Sequence, residues 1–207
     1  MPIVDAHGDP PPDAAIKEAA RALAAGDIVG IPTDTVYGLA ADPFRTGASD
    51  RLFSVKRRPR SVELPVLVAD QDQAVELTVA VPETARRLMD RYWPGPLTLV
   101  LPRRPDLNAD LGEDDATIGV RCPAHPVPLA LCREVGPLAT TSANHHGEPP
   151  ASTAAELASA LGGVELILDA GPCTGRPSTV VDCTGVEPRL LREGRLLWAE
   201  ITETAGG

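Results

Sequence analysis

Three stretches of the chain carry residue types that could do chemistry. The first is Arg51-Leu-Phe-Ser-Val-Lys56-Arg57-Arg58-Pro59-Arg60, with five positive charges in ten residues and no acid. A polyphosphate needs several fixed cations, and arginine adds a planar fork that meets phosphate oxygens in pairs. Pro59 stops a helix and so holds Lys56 and Arg58 at a loop. A solvated helix end would show the same residues, because cations are favoured at helix C-termini. The second stretch is Pro32-Thr33-Asp34-Thr35-Val36-Tyr37-Gly38-Leu39, hydroxyls set between two apolar runs. Such residues can be turn chemistry, or they can present hydroxyls and backbone groups to a small zwitterionic ligand. Thr140-Thr141-Ser142-Ala143-Asn144 repeats the pattern, and Arg121 closes an apolar run from Thr117, where its cation could meet a ligand carboxylate. Ligands of open α/β sheets sit beyond strand ends. Together these residues outline a cleft lined by hydroxyls and arginines.

Other sites of chemistry are absent. No G-x-x-x-x-G-K-[ST] occurs, and Gly171-Pro-Cys-Thr-Gly175-Arg-Pro-Ser178 lacks the lysine of a phosphate loop. There is no G-x-G-x-x-G and no G-x-S-x-G nucleophile elbow. Cys122, Cys132, Cys173 and Cys183 are scattered, which favours structural thiols over a metal site, and no metal site is expected. His125, His145 and His146 have no ligand partners at metal spacing and read as solvent-facing loop histidines.

The elements that must position these residues follow from pattern. Prolines 10 to 12 precede a helix over 13–25, with Asp13 as its cap and Gly26 at its end. Strands are predicted over 27–31, 64–68, 97–101, 117–121, 138–141, 164–168 and 179–183. Helices are predicted from Ser49 (as cap) to Lys56, and over 82–91, 126–134 and 152–161. Short apolar runs alternating with helices predict an α/β fold with a mixed sheet, in one domain over 13–200. Residues 1–12 are expected as a lead-in and 201–207 as a tail.

Composition bounds the function. The 207 residues carry a net charge of −10 and six aromatic side chains. An acidic balance argues against coating nucleic acid or anionic membrane with the whole surface. So few aromatics supply little stacking for single-stranded nucleic acid. The N-terminus has no signal-peptide pattern and no apolar run approaches the ~20 residues of a membrane span, so a cytoplasmic protein is expected.

PTDTVYGLA, the K-x-R-P at Lys56 to Pro59, Leu64 to Val68, WPGPLTLVL, TIGVRCPAHP, PLATTSAN, PSTVVD and LLREG follow one another over nearly the whole chain. In this order they resemble the YrdC family of threonylcarbamoyl-AMP synthases, in its short single-domain form. The resemblance implies an open twisted sheet with a large concave cavity. It also implies a nucleotidyltransferase that converts L-threonine, bicarbonate and ATP into L-threonylcarbamoyl-AMP and pyrophosphate, with Mg²⁺ on the ATP phosphates. The product would go to a tRNA threonylcarbamoyl transferase complex for the t6A37 modification of tRNAs reading ANN codons, with direct tRNA binding weak or absent.

Carried over by position, Lys56 and Arg58 resemble the catalytic pair and would hold the ATP phosphates. Thr35, Arg121, Thr140 and Ser178 look like L-threonine contacts. Thr117, Ser142, Asn144 and Arg192 look like nucleotide contacts. Val62, Glu63, Leu67, His146 and Pro150 depart from the family pattern. Two other functions compete. One is a non-catalytic RNA-binding module, and the other a carbamoyl-transfer domain of the hydrogenase-maturation type, which shares the fold but sits in much longer chains.

Overall fold

A computed structural model describes residues 1–206. Helix α1 (Asp13–Ala25) begins directly after the prolines and ends at Gly26, whose φ of 88° is the left-handed stop that glycine favours. Asp13 is its first residue rather than its cap; Pro12 takes the cap position without a side-chain bond. Strand β2 (Val29–Ile31) follows and turns through Pro32–Tyr37 into β3 (Gly38–Ala41), its antiparallel neighbour.

Helix α2 (Ala48–Lys56) carries the basic stretch and stops at Arg57, in the left-handed region at φ 53°. Gly47, not Ser49, is its cap; Ser49 is buried and its hydroxyl donates to the Asp110 carbonyl. The chain continues through β4 (Val66–Leu67), α3 (Gln71–Glu76), α4 (Glu83–Tyr92), β5 (Leu97–Pro102) and β6 (Thr117–Arg121). The second half adds α5 (Pro126–Val135), β7 (Leu138–Ser142), α6 (Ala154–Ala160), β8 (Leu166–Asp169), β9 (Thr179–Asp182) and β10 (Arg189–Arg192).

The strands form one mixed sheet. Its order is β1-β8-β2-β3-β7-β4-β6-β5-β9-β10, where β1 (Ile3–Asp5) lies in the segment expected as a lead-in. It pairs in parallel with β8, so those first residues are an edge strand. Likewise α7 (Trp198–Gly206) occupies the expected tail and packs on α4, where Arg87 and Tyr92 donate to its carbonyls. Gly207 lies outside the described residues. No described helix is long and apolar enough to cross a membrane.

Alternation along the strands builds an apolar cluster on each face of the sheet. Leu39 and Ala41 of β3 join Leu52 and Phe53 of α2 and Leu88 of α4, whereas Ala40 joins Leu23 of α1 and Leu131 of α5. Aromatic poverty is met in the same way, by close-packed aliphatic side chains. Tyr37 is an exception, fully buried, with its hydroxyl directed at Asp169 Oδ1 and the Gly171 carbonyl.

Candidate functional site

Two cavities open side by side on the sheet. The first, of about 290 Å³, gathers Thr33 and Thr35 of the β2–β3 turn, Thr140 to Ser142 of β7, Leu67 of β4, Arg121 of β6 and Ser178 before β9. The second, of about 280 Å³, is lined by Thr117 and Ile118 of β6, Leu64, Val100, Val180 and Leu191. Arg58, Arg192, Thr98, Ser178 and Pro65 line both and form the wall where the cavities meet. The molecule thus offers a hydroxyl- and arginine-lined end, a cationic middle and an apolar end.

In the first cavity Thr33 closes the turn and Thr35 meets Arg121. The Thr33 hydroxyl donates to the Val36 carbonyl at 2.7 Å and accepts the backbone N–H groups of Thr35 and Val36. That is the local side-chain-to-backbone closure threonine makes in turns. The Thr35 hydroxyl, on a residue 1% exposed, shares a 2.9 Å bond with the Thr33 hydroxyl and accepts from Arg121 Nη1 at 3.1 Å. Arg121 is nearly buried and also donates from Nε to the Gly95 carbonyl and from Nη2 to Asp34 Oδ1. Burial pulls its pKa down, the Asp34 carboxylate opposes that shift, and the guanidinium stays charged. The Thr140 hydroxyl donates to the Pro65 carbonyl, and Ser178 Oγ shares a 2.9 Å bond with Thr98 Oγ1.

The dividing wall is basic. Arg58 Nε donates to the Val62 carbonyl at 2.7 Å and Nη2 to the Glu63 carbonyl at 2.8 Å. These acceptors are backbone, so the unusual side chains at Val62 and Glu63 leave the Arg58 anchor intact. Neither Arg58 nor Arg192 has a carboxylate within ion-pair distance among the described residues. In so acidic a chain, two arginines without a carboxylate partner thus stand on one wall. Arg192 lies exposed at the rim and donates to the carbonyl and hydroxyl of Ser178.

The remaining expected site residues are placed as follows. Lys56 lines neither cavity; it is 2% exposed, and its ammonium donates to the Ser142 carbonyl, Ser142 Oγ and Asn144 Oδ1. Three donors meet three acceptors, so no hydrogen is left for a phosphate. Burial, with Arg58 nearby, pulls the Lys56 pKa down to about 8. Ser142 and Asn144, expected at the nucleotide, line the first cavity with Arg121 and not the second. Thr117 does line the second, with its hydroxyl given to Asp114.

His125 is half-buried and caps α5 through the Val127 N–H, rather than facing solvent. All four thiols are buried and free, and burial raises Cys122 to about 11.

Sequence reasoning missed Thr98, Glu63 and Glu148 as lining residues. For Thr98 the signal was present. It is the polar member of the run 97–101, whose Leu97, Leu99 and Leu101 join the core, so alternation turns it to the other face.

The Sua5/YciO/YrdC family model, described as "Telomere recombination", matches residues 21–194. A Mycobacterium tuberculosis relative is 44% identical over 193 residues, 92% of this chain and 89% of its own. The threonylcarbamoyl-AMP synthase of Bacillus subtilis is 41% identical over 198 residues, 94% of this chain and 57% of its own. The crystal structure of P. abyssi Sua5 complexed with L-threonine superposes with a TM-score of 0.89 at 36% identity, covering 100% of this chain and 61% of that one. The chain therefore spans about three-fifths of the two longer proteins.

Proposed function

The chain belongs to the Sua5/YciO/YrdC family, and on that footing we propose that it is a threonylcarbamoyl-AMP synthase, condensing L-threonine, bicarbonate and ATP with release of pyrophosphate. The observation that carries this reading is the pair of cavities meeting at Arg58 and Arg192. An amino acid fits the end that offers Arg121 and the hydroxyls of Thr35, Thr140 and Ser178. A nucleoside fits the apolar end beside Thr117. The triphosphate between them then lies against the unpaired arginines.

In this arrangement the threonine carboxylate takes the Arg121 fork and the amine points toward the wall. The amine attacks the carbon of bicarbonate, water leaves, and a carbamate results. A carbamate oxygen then attacks the α-phosphorus of ATP, and the bond to the bridging oxygen breaks to release pyrophosphate. No enzyme nucleophile is consumed, so the chain contributes positioning and charge stabilisation. Arg58 and Arg192 would carry the phosphate charge, and Mg²⁺ would arrive with the phosphates, whose charge it offsets. Lys56 would act from behind, holding Ser142 and Asn144 in place and adding a positive charge to the wall. We assign the product to the t6A modification of tRNA, through a separate transferase and in the cytoplasm. The net charge of −10 disfavours tight tRNA binding by this chain itself.

Purified protein mixed with threonine, bicarbonate, ATP and Mg²⁺ is expected to release pyrophosphate only when threonine is present. Threonine-independent release, or none from folded protein, overturns the proposal. Tight tRNA binding without ATP turnover would point to an RNA-binding module instead.

A further inference from the structure

Arg121 is held at all three of its nitrogens. Nε donates to the Gly95 carbonyl at 3.0 Å, Nη1 to the Thr35 hydroxyl at 3.1 Å and Nη2 to Asp34 Oδ1 at 2.5 Å. A guanidinium has five N–H donors, so one hydrogen on each terminal nitrogen stays free. A carboxylate meets two such hydrogens with parallel bonds where they lie side by side as a fork. How well the fork is aimed depends on its three holders.

Two of the holders have other reasons to be where they are. Gly95 is fixed by its own N–H bond to the Cys122 carbonyl, and Thr35 lines the first cavity. Asp34 lines neither cavity of the site. It faces an outer hollow of about 460 Å³ with His125, Arg176 and Arg195. Its side chain is 9% exposed, and Oδ2 is buried without a hydrogen-bond partner. Among the described residues Arg121 is the one side-chain partner of this carboxylate. A buried carboxylate is costly to keep unless a charge-assisted bond offsets it. Here that offset is a bond that orients a ligand-facing arginine.

We infer that Asp34 is a positioning residue for amino-acid binding, fixing the Arg121 fork in the plane that receives the ligand carboxylate without touching the ligand. The inference rests on the proposed reading of Arg121 as the carboxylate anchor. Its chemistry separates position from charge. An asparagine oxygen at this place can still accept from Nη2, whereas alanine lets the guanidinium swing and glutamate pushes the acceptor out of line by one methylene.

The test is calorimetric binding of L-threonine and, separately, of ATP to the wild-type protein and to Asp34→Ala, Asp34→Asn and Asp34→Glu. Expected is a rise of about tenfold or more in the threonine Kd for Ala and Glu and of about threefold or less for Asn, with the ATP Kd within about twofold throughout. If Ala does not fold, the contrast between Asn and Glu decides by the same values. Threonine binding unchanged in Ala or Glu, Asn as weak as Glu, or equal losses for both ligands would each overturn the inference. Wild-type protein that binds ATP but no threonine would instead remove the Arg121 reading on which it stands.

Discussion

Lys56 Nζ lies 2.7 Å from the carbonyl oxygen of Ser142 and 3.0 Å from its hydroxyl, so the end of α2 is tied to the end of β7 beneath the cavity. The same ammonium reaches Asn144 Oδ1, and the Asn144 amide in turn donates to the His145 and Glu148 carbonyls. One buried cation thus holds the loop that carries Glu148 and Pro150 to the cavity. Lys56→Met keeps the stem and removes the charge, taking the lysine donor from Ser142 Oγ and Asn144 Oδ1, while the Ser142 carbonyl keeps the Asn144 N–H. Expected is a stability loss of about 1–3 kcal/mol by urea denaturation, with faster proteolysis confined to residues 143–150. An unchanged midpoint and unchanged cleavage would contradict the tie.

The same lysine gives the stability a pH dependence of known sign. Burial lowers its folded pKa to about 8 from 10.5, so between those values the unfolded chain binds more protons than the native one. Stability contributed through this group therefore rises with pH across that window. The difference in unfolding free energy between wild type and Lys56→Met is expected to shift in favour of the wild type from pH 8 to pH 10.5. ATP affinity is expected to fall over the same window in the wild type alone, as the lysine behind the wall loses its charge. A pH-independent difference between the two proteins would count against a depressed Lys56.

Arg58 and Arg121 should divide the ligands between them. Arg58→Ala is expected to weaken ATP by about 10- to 100-fold and threonine little, since a charge-assisted bond contributes about 1.5–3 kcal/mol. Arg121→Ala should do the reverse. It also strands the Asp34 carboxylate, at a stability cost of about 3–5 kcal/mol that Arg58→Ala does not share. Titrating each ligand into each variant, with a melting curve beside it, checks all these points; equal effects on both ligands would refute the division.

Gly175 crosses the back of the β2–β3 turn, its N–H bonded to the Thr35 carbonyl at 2.9 Å. A Cβ there would stand 2.8 Å from Thr35 Cα and 2.9 Å from the Asp34 carbonyl oxygen, both backbone contacts that cannot yield cheaply. Gly175→Ala is therefore expected to displace Thr35 and weaken threonine by about tenfold while ATP binding holds. Unaltered threonine affinity would show that the turn tolerates the shift.

Much of this was legible in the sequence because the signals are local. Prolines 10 to 12 and Gly26 bound α1, and alternation in Leu97–Leu101 marks β5 and its cavity-facing Thr98. Elements held by distant partners were not. β1 is three residues long and is defined by its pairing with β8, some 160 residues away, and β10 is an exposed edge defined by β9. The site shows the same divide. Arg58, Arg121, Thr35 and Ser178 were named from motifs and do line the cavities. Lys56 was named with them, yet its saturation by Ser142 and Asn144 depends on a contact across 86 to 88 residues of chain. Asp34 stood in the motif as a turn residue; only the fold brings Arg121, 87 positions on, to its carboxylate.

In the proposed reaction one cavity system joins an amino acid to a nucleotide through a carbon supplied by bicarbonate. Its most direct measurement is mass spectrometry of the adenylate formed from ¹³C-bicarbonate, L-threonine and ATP. Expected is a product in which the labelled carbon lies between the threonine nitrogen and the AMP phosphate, formed in step with pyrophosphate. An unlabelled threonyl-adenylate, or pyrophosphate released with no adenylate containing threonine, would contradict it.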